Sequence, residues 1–265
     1  MMELTTLELK TDERGVATVA LNRPERHNAF NEVVIRELAD VFTALGTDNT
    51  VRAIILCGNG KSFSAGADLE WMKAAAQYNE AENQADAQAL SDMLRTIRNT
   101  PKPVIALAKG AVMGGGTGLV SCADIVIAAK DTKFAVSEVK LGLIPATISP
   151  YVIAAIGERQ ARRYFVTGEI FRGDVAQSIG LVHQLVDTAD ELEAAANALL
   201  DNAILKNGPE AMAATKVLIS DIAGRPVTDD LRKNTATRIA KIRSGEEAIE
   251  GVTAFLEKRA PKWQS

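Results

Sequence analysis

One carboxylate and one run of glycines are the residues of this chain whose types and spacing suit catalysis. Glu138 stands in an apolar setting just before Leu141-Gly142-Leu143-Ile144-Pro145, and burial of that kind raises the pKa of a carboxyl group and suits it to proton transfer. About 20 residues earlier, Gly114-Gly115-Gly116 separates an apolar run, typical of a buried strand, from a stretch with a helical pattern. Glycines let the backbone approach a ligand closely. The N–H groups at the start of a helix can stabilise an oxygen that becomes negative during a reaction.

A simpler interpretation is that the glycines form a tight turn and that Glu138 is a solvated helix residue. Two nucleotide-binding alternatives are disfavoured by the residues that follow. A phosphate-binding P-loop requires Gly-Lys-Ser/Thr after the glycines, whereas Gly116-Thr117-Gly118 stands here. A dinucleotide fingerprint requires G-x-G-x-x-G, whereas Gly114, Gly116 and Gly118 are spaced two apart.

A second stretch of small residues, 64–67, follows the apolar strand pattern of residues 51–56. Small side chains there let the backbone come close to a ligand, and Asp68 is predicted to cap the helix that follows. The alternative is an ordinary loop between a strand and a helix.

Apolar patterning predicts the elements that position these stretches. Residues 4–10 and 16–21 are predicted to form a hairpin with Gly15 in its turn. Asn28 is the predicted cap of a helix that runs to about Leu45, and the polar residues 78–88 are typical of a mobile segment. From residue 189 onward the chain is predicted to be helical. Repeated strand–helix units followed by helices indicate an α/β core with a C-terminal helical region.

Composition excludes several classes of protein. The 265 residues carry a net charge of −4 and a pI near 5.4, which argues against affinity for nucleic acid or an anionic membrane. Two cysteines in apolar runs and two isolated histidines predict reduced thiols and no metal site. No signal peptide or membrane-spanning run is visible, so a cytoplasmic protein is expected.

Five stretches, in this order, resemble the crotonase, or enoyl-CoA hydratase/isomerase, superfamily. The resemblance covers nearly the whole chain and rests on segments 21–29, 63–69, 114–125, 137–145 and 250–259. It implies the crotonase (ClpP-like) α/β fold, a spiral of ββα units. Residues 1–190 would form the spiral core with the acyl-CoA site, and residues 191–265 a helical trimerisation region. It also implies a homotrimer or a dimer of trimers, and CoA as part of the substrate with no separate cofactor.

The resemblance also assigns roles to individual residues. The backbone N–H groups of Ala65 and Gly115 would hold the thioester oxygen, and Glu138 would be the acid/base. The CoA moiety would lie along Arg26, Gly114 and the backbone of Ala65, Gly66, Ala67 and Asp68. Phe255 and Lys258 match positions that meet the adenine and its phosphate, sometimes from a neighbouring subunit. The simpler interpretation of Lys258 is an exposed lysine.

One departure from the family pattern bears on the reaction. Typical hydratases of the family carry two glutamates, but here the first of those positions is Gly118 and only the second, Glu138, is acidic. Isomerases of the family, which shift a double bond between the β,γ and α,β positions, use one glutamate at the position of Glu138. A single carboxylate could also hydrate the double bond by activating water and then donating the proton.

A finer resemblance favours hydration. Segments 66–72, 118–120 and 137–151 resemble bacterial hydratases of 3-methylglutaconyl-CoA and isohexenylglutaconyl-CoA, which serve leucine and acyclic-terpene breakdown. Their β-branched substrates carry a second carboxylate. Gly118 would open space for such a substrate, a hydroxyl of Thr147, Ser149 or Tyr151 would position water or carboxylate, and Arg52 or Lys140 would pair with the carboxylate.

Three further functions stay open at the sequence level. An enoyl-CoA isomerase is the main alternative, and a catalytically weak binder of acyl-CoA or of a protein is the second. RNA binding, known in one lineage of glutaconyl-CoA hydratases, is disfavoured by the acidic pI, since phosphate neutralisation requires a basic patch. The basic residues of 232–243 are interpreted as a solvated helix face.

Overall fold

Short apolar runs alternate with amphipathic helices along the chain, and the runs assemble into two sheets. The structure is a computed structural model that describes residues 3–264. The strands are β1 (Leu7–Thr11), β2 (Val16–Leu21), β3 (Ala53–Gly58), β4 (Val104–Ala108), β5 (Ala111–Met113), β6 (Ile125–Ala129), β7 (Lys133–Ala135), β8 (Phe171–Arg172) and β9 (Gln184–Val186).

Ten α-helices accompany these strands within the described residues. They are α1 (Glu32–Thr47), α2 (Leu69–Ala75), α3 (Glu80–Asn99), α4 (Gly115–Cys122), α5 (Ser149–Thr167), α6 (Gly173–Ser178), α7 (Leu192–Asn202), α8 (Pro209–Ile222), α9 (Asp229–Arg243) and α10 (Glu246–Glu257). Short 3₁₀ turns also occur, including Pro24–Arg26 before α1 and Glu138–Leu141 before α5.

The strand order shows how the chain steps from one layer to the next. The larger sheet has the order β1-β2-β3-β4-β6-β9, and only the pair β1–β2 is antiparallel. The smaller sheet has the order β5-β7-β8, so β4 and β6 are each followed by a short strand in the second layer and then by a helix. Because the parallel strands advance together, the residues that follow them gather at one edge of the larger sheet.

The core lies on both faces of the larger sheet. One face packs with α1, α3, α4 and α5 around the fully buried Phe30, Phe42 and Phe63. The other face packs under α7 through Leu192, Ala196 and Leu200. The predicted α/β core with C-terminal helices is therefore confirmed, although α7 is itself part of the packed core.

Two local predictions are wrong. Asn28 does not cap α1; the cap is Asn31, whose side chain accepts a hydrogen bond from the Val34 N–H at 3.0 Å. The polar segment 78–88 is mostly helix α3, which starts with a capping box between Asn79 and Glu82. One other detail is confirmed: Asp68 caps α2. Gly157 interrupts α5 with a φ of 75°.

The described residues lack two further features. No helix within residues 3–264 is long and apolar enough to cross a membrane. Over the same residues, no three His, Cys, Asp or Glu side chains are grouped as metal ligands.

Arg52 ties the C-terminal end of the chain to the sheet, and its removal should weaken the fold. Its guanidinium donates to the carbonyl oxygen of Trp263 at 2.7 Å and to those of Leu205 and Asn207 at 3.3 and 3.1 Å. Hydrogen bonds from a charged group contribute about 1.5–3 kcal/mol when buried, and less when partly exposed. We expect Arg52→Met to lower the free energy of unfolding by about 1–3 kcal/mol in urea titrations.

The matched control is Arg162→Met. Arg162 pairs with Glu158 at 3.6 Å, and both side chains are largely exposed, so its loss should cost under about 0.5 kcal/mol. Equal effects of the two variants would contradict this role of Arg52.

Candidate active site

The loop after β3 is held against β5 by a short parallel bridge. Ser64 N–H donates to the Ala111 carbonyl and the Met113 N–H donates to the Ser64 carbonyl, both at 3.0 Å. The glycines allow this approach, because a Cβ at position 116 would lie 3.0 Å from Ser64. The two stretches of small residues found in the sequence are therefore neighbours in space.

A cleft of about 440 Å³ opens beside these loops. Its lining includes Ala65, Gly66, Ala67, Gly114, Gly115 and Glu138 from the predicted site. The remaining walls are mostly apolar and come from Phe30, α2, α3 and the segment 141–148. A volume of this size suits a small acyl group.

Glu138 presents an unpaired carboxylate oxygen to this cleft. Its Oε2 atom is buried without a hydrogen-bond partner among residues 3–264. Burial raises the pKa of the Glu138 carboxyl, while the backbone amides of Glu138 and Ser137 oppose the shift. The Oε1 atom would lie 3.2 Å from a Cβ at position 114, and Gly114 has a φ of 49°. Glycine is therefore needed at position 114 because of its positive φ and because a Cβ there would crowd the Glu138 carboxylate. That carboxylate can exchange a proton with a ligand in the cleft.

The prediction that the N–H of Ala65 holds the thioester oxygen is wrong. Its N–H donates to the His27 carbonyl at 2.9 Å, so it is not available to a ligand. Ala67 also lines the cleft. The bridge to Phe30 uses the Gly66 carbonyl and the Asp68 N–H, both at 2.7 Å, and leaves the N–H of Ala67 without a partner in the described chain. The free donor of this loop is therefore Ala67.

Gly115 supplies the second donor. It is the first residue of α4, whose leading N–H groups have no partner within the helix. A Cβ at position 115 would lie 2.9 Å from Phe30, so only glycine keeps this backbone against the cleft wall. Two backbone donors of this kind can stabilise an oxyanion, and one removed donor typically costs a factor of 10²–10³ in rate.

Gly118 does not open space for a substrate, and that prediction is wrong. It is buried in α4 and does not line the cleft. A Cβ at this position would lie 2.3 Å from Cγ2 of Ile148, a cleft-lining residue that is 1 % exposed. The space that a side chain at position 118 would occupy is therefore filled by Ile148.

The predicted carboxylate partners are also not in the cleft. Arg52 is engaged by the C-terminal carbonyls, and the aliphatic part of the exposed Lys140 lies against Gly168. Thr147 lines the cleft, whereas the Ser149 hydroxyl donates to the Ala146 carbonyl at 2.8 Å and Tyr151 does not line it. No Lys, Arg or His is among the described residues of the lining.

The other residues predicted to bind CoA lie outside the cleft lining. Arg26 is exposed on a 3₁₀ turn next to His27. The side chain of Asp68 is buried in an ion pair with Arg23 at 2.8 Å and in the cap of α2. Phe255 and Lys258 are exposed at the end of α10, which packs on α8 and α9. Their contacts with CoA stay predictions.

Sequence reasoning missed Asp86. This residue of α3 lines the cleft, and its Oδ1 accepts a hydrogen bond from the Trp71 indole at 3.1 Å. Burial raises the pKa of the Asp86 carboxyl; the Trp71 N–H opposes the shift and Glu32 adds to it. The signal available in the sequence was a single aspartate at helical spacing from Leu90, inside a segment that looked mobile.

Among residues 3–264, the cleft combines unpartnered backbone N–H groups with a buried carboxylate oxygen, an arrangement that can polarise a carbonyl oxygen and move a proton beside it. A family model described as Enoyl-CoA hydratase/isomerase matches residues 11–265. A crystal structure of an enoyl-CoA hydratase from Shewanella pealeana superposes with a TM-score of 0.95 at 42 % identity, over 98 % of this chain and 97 % of that one.

Two curated relatives have names that agree with this family match. A crotonyl-CoA hydratase of Syntrophomonas wolfei is 32 % identical over 93 % of this chain and 94 % of its own length. The mitochondrial methylglutaconyl-CoA hydratase of mouse is 30 % identical over 99 % of this chain and 83 % of its own length. The chain therefore belongs to the enoyl-CoA hydratase/isomerase family. The predictions of the crotonase fold and of an enzyme of the enoyl-CoA hydratase type are confirmed.

Proposed function

We propose that this enzyme adds water across the α,β double bond of a branched glutaconyl-type acyl-CoA, isohexenylglutaconyl-CoA or 3-methylglutaconyl-CoA. The observation that carries the proposal is the cleft itself. It brings together a carboxylate oxygen of Glu138 and the N–H groups of Ala67 and Gly115, none of which has a partner among residues 3–264. The family shares acyl-CoA substrates, and an unsaturated thioester has an oxygen, an α-carbon and a β-carbon for these groups to act on.

The reaction needs only the groups of this cleft and one water. The N–H groups of Ala67 and Gly115 hold the thioester oxygen and make the β-carbon electrophilic. Glu138 takes a proton from water while the hydroxide bonds to the β-carbon and the π electrons move onto the thioester oxygen. The enolate then collapses and the α-carbon takes the proton back from Glu138. One carboxylate serves as base and then as acid, and it ends unchanged.

A Δ3-Δ2 enoyl-CoA isomerase is the second candidate. It is favoured by the absence of an acidic residue at Gly118, since one carboxylate suffices to remove a proton from the α-carbon of a β,γ-enoyl-CoA and to return it to the γ-carbon. The same two backbone donors would hold the dienolate oxygen. The two reactions differ in whether water is consumed.

A substrate panel tests the proposal. The enzyme is mixed with 3-methylglutaconyl-CoA, isohexenylglutaconyl-CoA, crotonyl-CoA and a β,γ-enoyl-CoA, and the absorbance of the conjugated thioester is followed. We expect this absorbance to fall with the glutaconyl substrates at a kcat/KM at least about tenfold above that for crotonyl-CoA, a ratio that a single well-placed polar contact can supply. A rise with the β,γ-isomer and no fall with the others would make the enzyme an isomerase. A preference for crotonyl-CoA would overturn the glutaconyl assignment.

The proposal includes a homotrimer or a dimer of trimers in the cytoplasm. Apolar side chains exposed on α8, α9 and α10 support subunit contacts; they are Val217, Ile219, Ile239, Ile249, Val252, Phe255 and Leu256. Phe255 and Lys258 would then meet CoA across the subunit boundary. Both cysteines are free thiols, which agrees with a reducing compartment.

A further inference from the structure

The backbone around Ala67 is held in place by the segment 27–30, which pairs with the residues on both sides of it. Phe30 donates its N–H to the Gly66 carbonyl and accepts the Asp68 N–H, both at 2.7 Å. The N–H of Ala67 lies between these two bonds, so its position depends on where Phe30 is held. Whatever fixes residues 27–30 therefore also fixes this donor.

A buried asparagine fixes that segment. Asn28 is 1 % exposed and has a left-handed φ of 55°. Its side-chain amide donates to the carbonyls of Asn59 and Ser62 at 2.9 and 2.8 Å and accepts the Arg23 N–H at 2.9 Å. The amide therefore uses most of its hydrogen-bonding capacity within the fold. Gly58 lies beside it, where a Cβ would come within 2.8 Å of the amide nitrogen.

The Ser64 hydroxyl links Asn28 to the residue before Ala67. It belongs to a fully buried side chain, donates to the Asn28 carbonyl at 2.9 Å and accepts the Gly66 N–H at 3.3 Å. A shift of the Asn28 backbone would therefore be passed to Gly66 through one side chain.

Arg23 makes the matching link to the residue after Ala67. Its guanidinium donates to the Ala29 carbonyl at 2.6 Å and to the Asp68 carboxylate at 2.8 Å. Both side chains of this ion pair are largely buried. Because the backbone N–H of Arg23 is held by the Asn28 amide, the links on both sides of Ala67 depend on the same asparagine.

We propose that Asn28 is a positioning residue of the reaction: its side chain holds residues 23–30 so that the N–H of Ala67 meets the thioester oxygen. The side chain lies outside the cleft lining and acts through the backbone alone. The inference rests on the proposed function, because it takes this N–H to be an oxyanion donor. Such a donor must be preorganised, and a displacement of about 1 Å can cost a factor of about 10² in rate.

Asn28→Gly tests the side chain alone, because glycine keeps the left-handed backbone without strain and removes the three hydrogen bonds of the amide. Butyryl-CoA, which cannot be hydrated, is bound to the intact enzyme, and the infrared stretch of its thioester carbonyl is compared with that of free butyryl-CoA. Backbone donors should lower this frequency in the wild type, because they polarise the C=O bond. We expect the variant to lose roughly half of the shift, since the N–H of Gly115 remains.

Binding and turnover should separate in the same variant. The Kd of butyryl-CoA, measured by calorimetric titration, should stay within about threefold of the wild type, because a misplaced oxyanion donor affects the transition state more than the ground state. Hydration of the best substrate should show kcat lowered by about 10–100-fold with little change in KM. Ser64→Ala removes a single hydroxyl and should lose a smaller part of the shift; it decides the question if Asn28→Gly does not fold.

Arg52→Met is the matched control, because it weakens the fold through the carbonyls of Leu205, Asn207 and Trp263 and leaves residues 23–30 and 64–68 in place. It should keep the full carbonyl shift. An equal loss of shift in Arg52→Met, or a full shift in both Asn28→Gly and Ser64→Ala, would overturn the proposal while the proposed function stands. Absence of any shift in the wild type would overturn the proposed oxyanion site itself, and the role of Asn28 with it.

Discussion

Glu138→Gln should lower kcat by a factor of about 10²–10⁴ while KM changes little, because a positioned acid/base group contributes that much to proton transfer. Glutamine keeps the size of the side chain and its contact with Gly114 but cannot take a proton from water. The backbone donors at Ala67 and Gly115 remain, so the thioester still binds. Steady-state hydration of the best substrate measures both constants.

The control for this variant is Glu158→Gln, on an exposed part of α5 with a side chain that is 80 % accessible. It should leave kcat within about twofold, as surface changes away from the site usually do little. If Glu138→Gln retained more than about a tenth of the wild-type kcat, another group would be the acid/base and the proposed mechanism would be wrong.

The raised pKa of Glu138 fixes the direction of two pH effects. The carboxylate form activates water, so kcat/KM of the wild type should rise with pH through a pKa above the ordinary glutamate value of about 4.3. A folded-state pKa above the unfolded value means that stability is lost as pH rises through the folded pKa. Glu138→Gln should therefore have the higher Tm at pH 7, and the difference should shrink towards pH 4. If the Tm difference between Glu138→Gln and the wild type did not change between pH 7 and pH 4, burial of the Glu138 charge would not be its cause.

The sequence located the candidate site, but it could not show which backbone N–H groups are free to act as oxyanion donors. Small residues at 64–67 and glycines at 114–116 indicate that the backbone approaches something. Which N–H remains free depends on remote partners: His27 occupies the N–H of Ala65, and Phe30 pairs with residues on both sides of Ala67. His27 and Asn28, with φ values of 50° and 55°, shape the loop that supplies these partners. Neither is a glycine, so their left-handed backbone was not evident in the sequence.

Asp86 was missed for a related reason. Residues 78–88 contain few apolar side chains, and a helix there was not predicted because periodicity is the main signal in a sequence. The capping box of Asn79 and Glu82 starts α3 earlier than the apolar pattern does. The strands predicted at β3 and β4 were more accurate, since both are buried and are continuous apolar runs.

Restoring the second glutamate of typical hydratases at Gly118 should unfold or strongly destabilise this chain. A Cβ at 118 would lie 2.3 Å from Cγ2 and 2.8 Å from Cβ of Ile148, so Gly118→Glu adds overpacking to an unpaired buried charge. Together these should cost roughly 3 kcal/mol or more of unfolding free energy. Gly118→Ala carries the steric conflict alone and should cost about 1–3 kcal/mol.

Ile148→Gly should relieve this conflict, because only the Cα of residue 148 would remain, at 3.8 Å from the new Cβ. Urea titrations of a double-mutant cycle should show a favourable coupling of about 1–3 kcal/mol between Gly118→Ala and Ile148→Gly. The same relief should make Gly118→Glu/Ile148→Gly more stable than Gly118→Glu in urea titrations. Additive losses would contradict the steric argument. Favourable coupling would mean that the Ile148 side chain is what excludes a larger residue, including a second glutamate, from position 118.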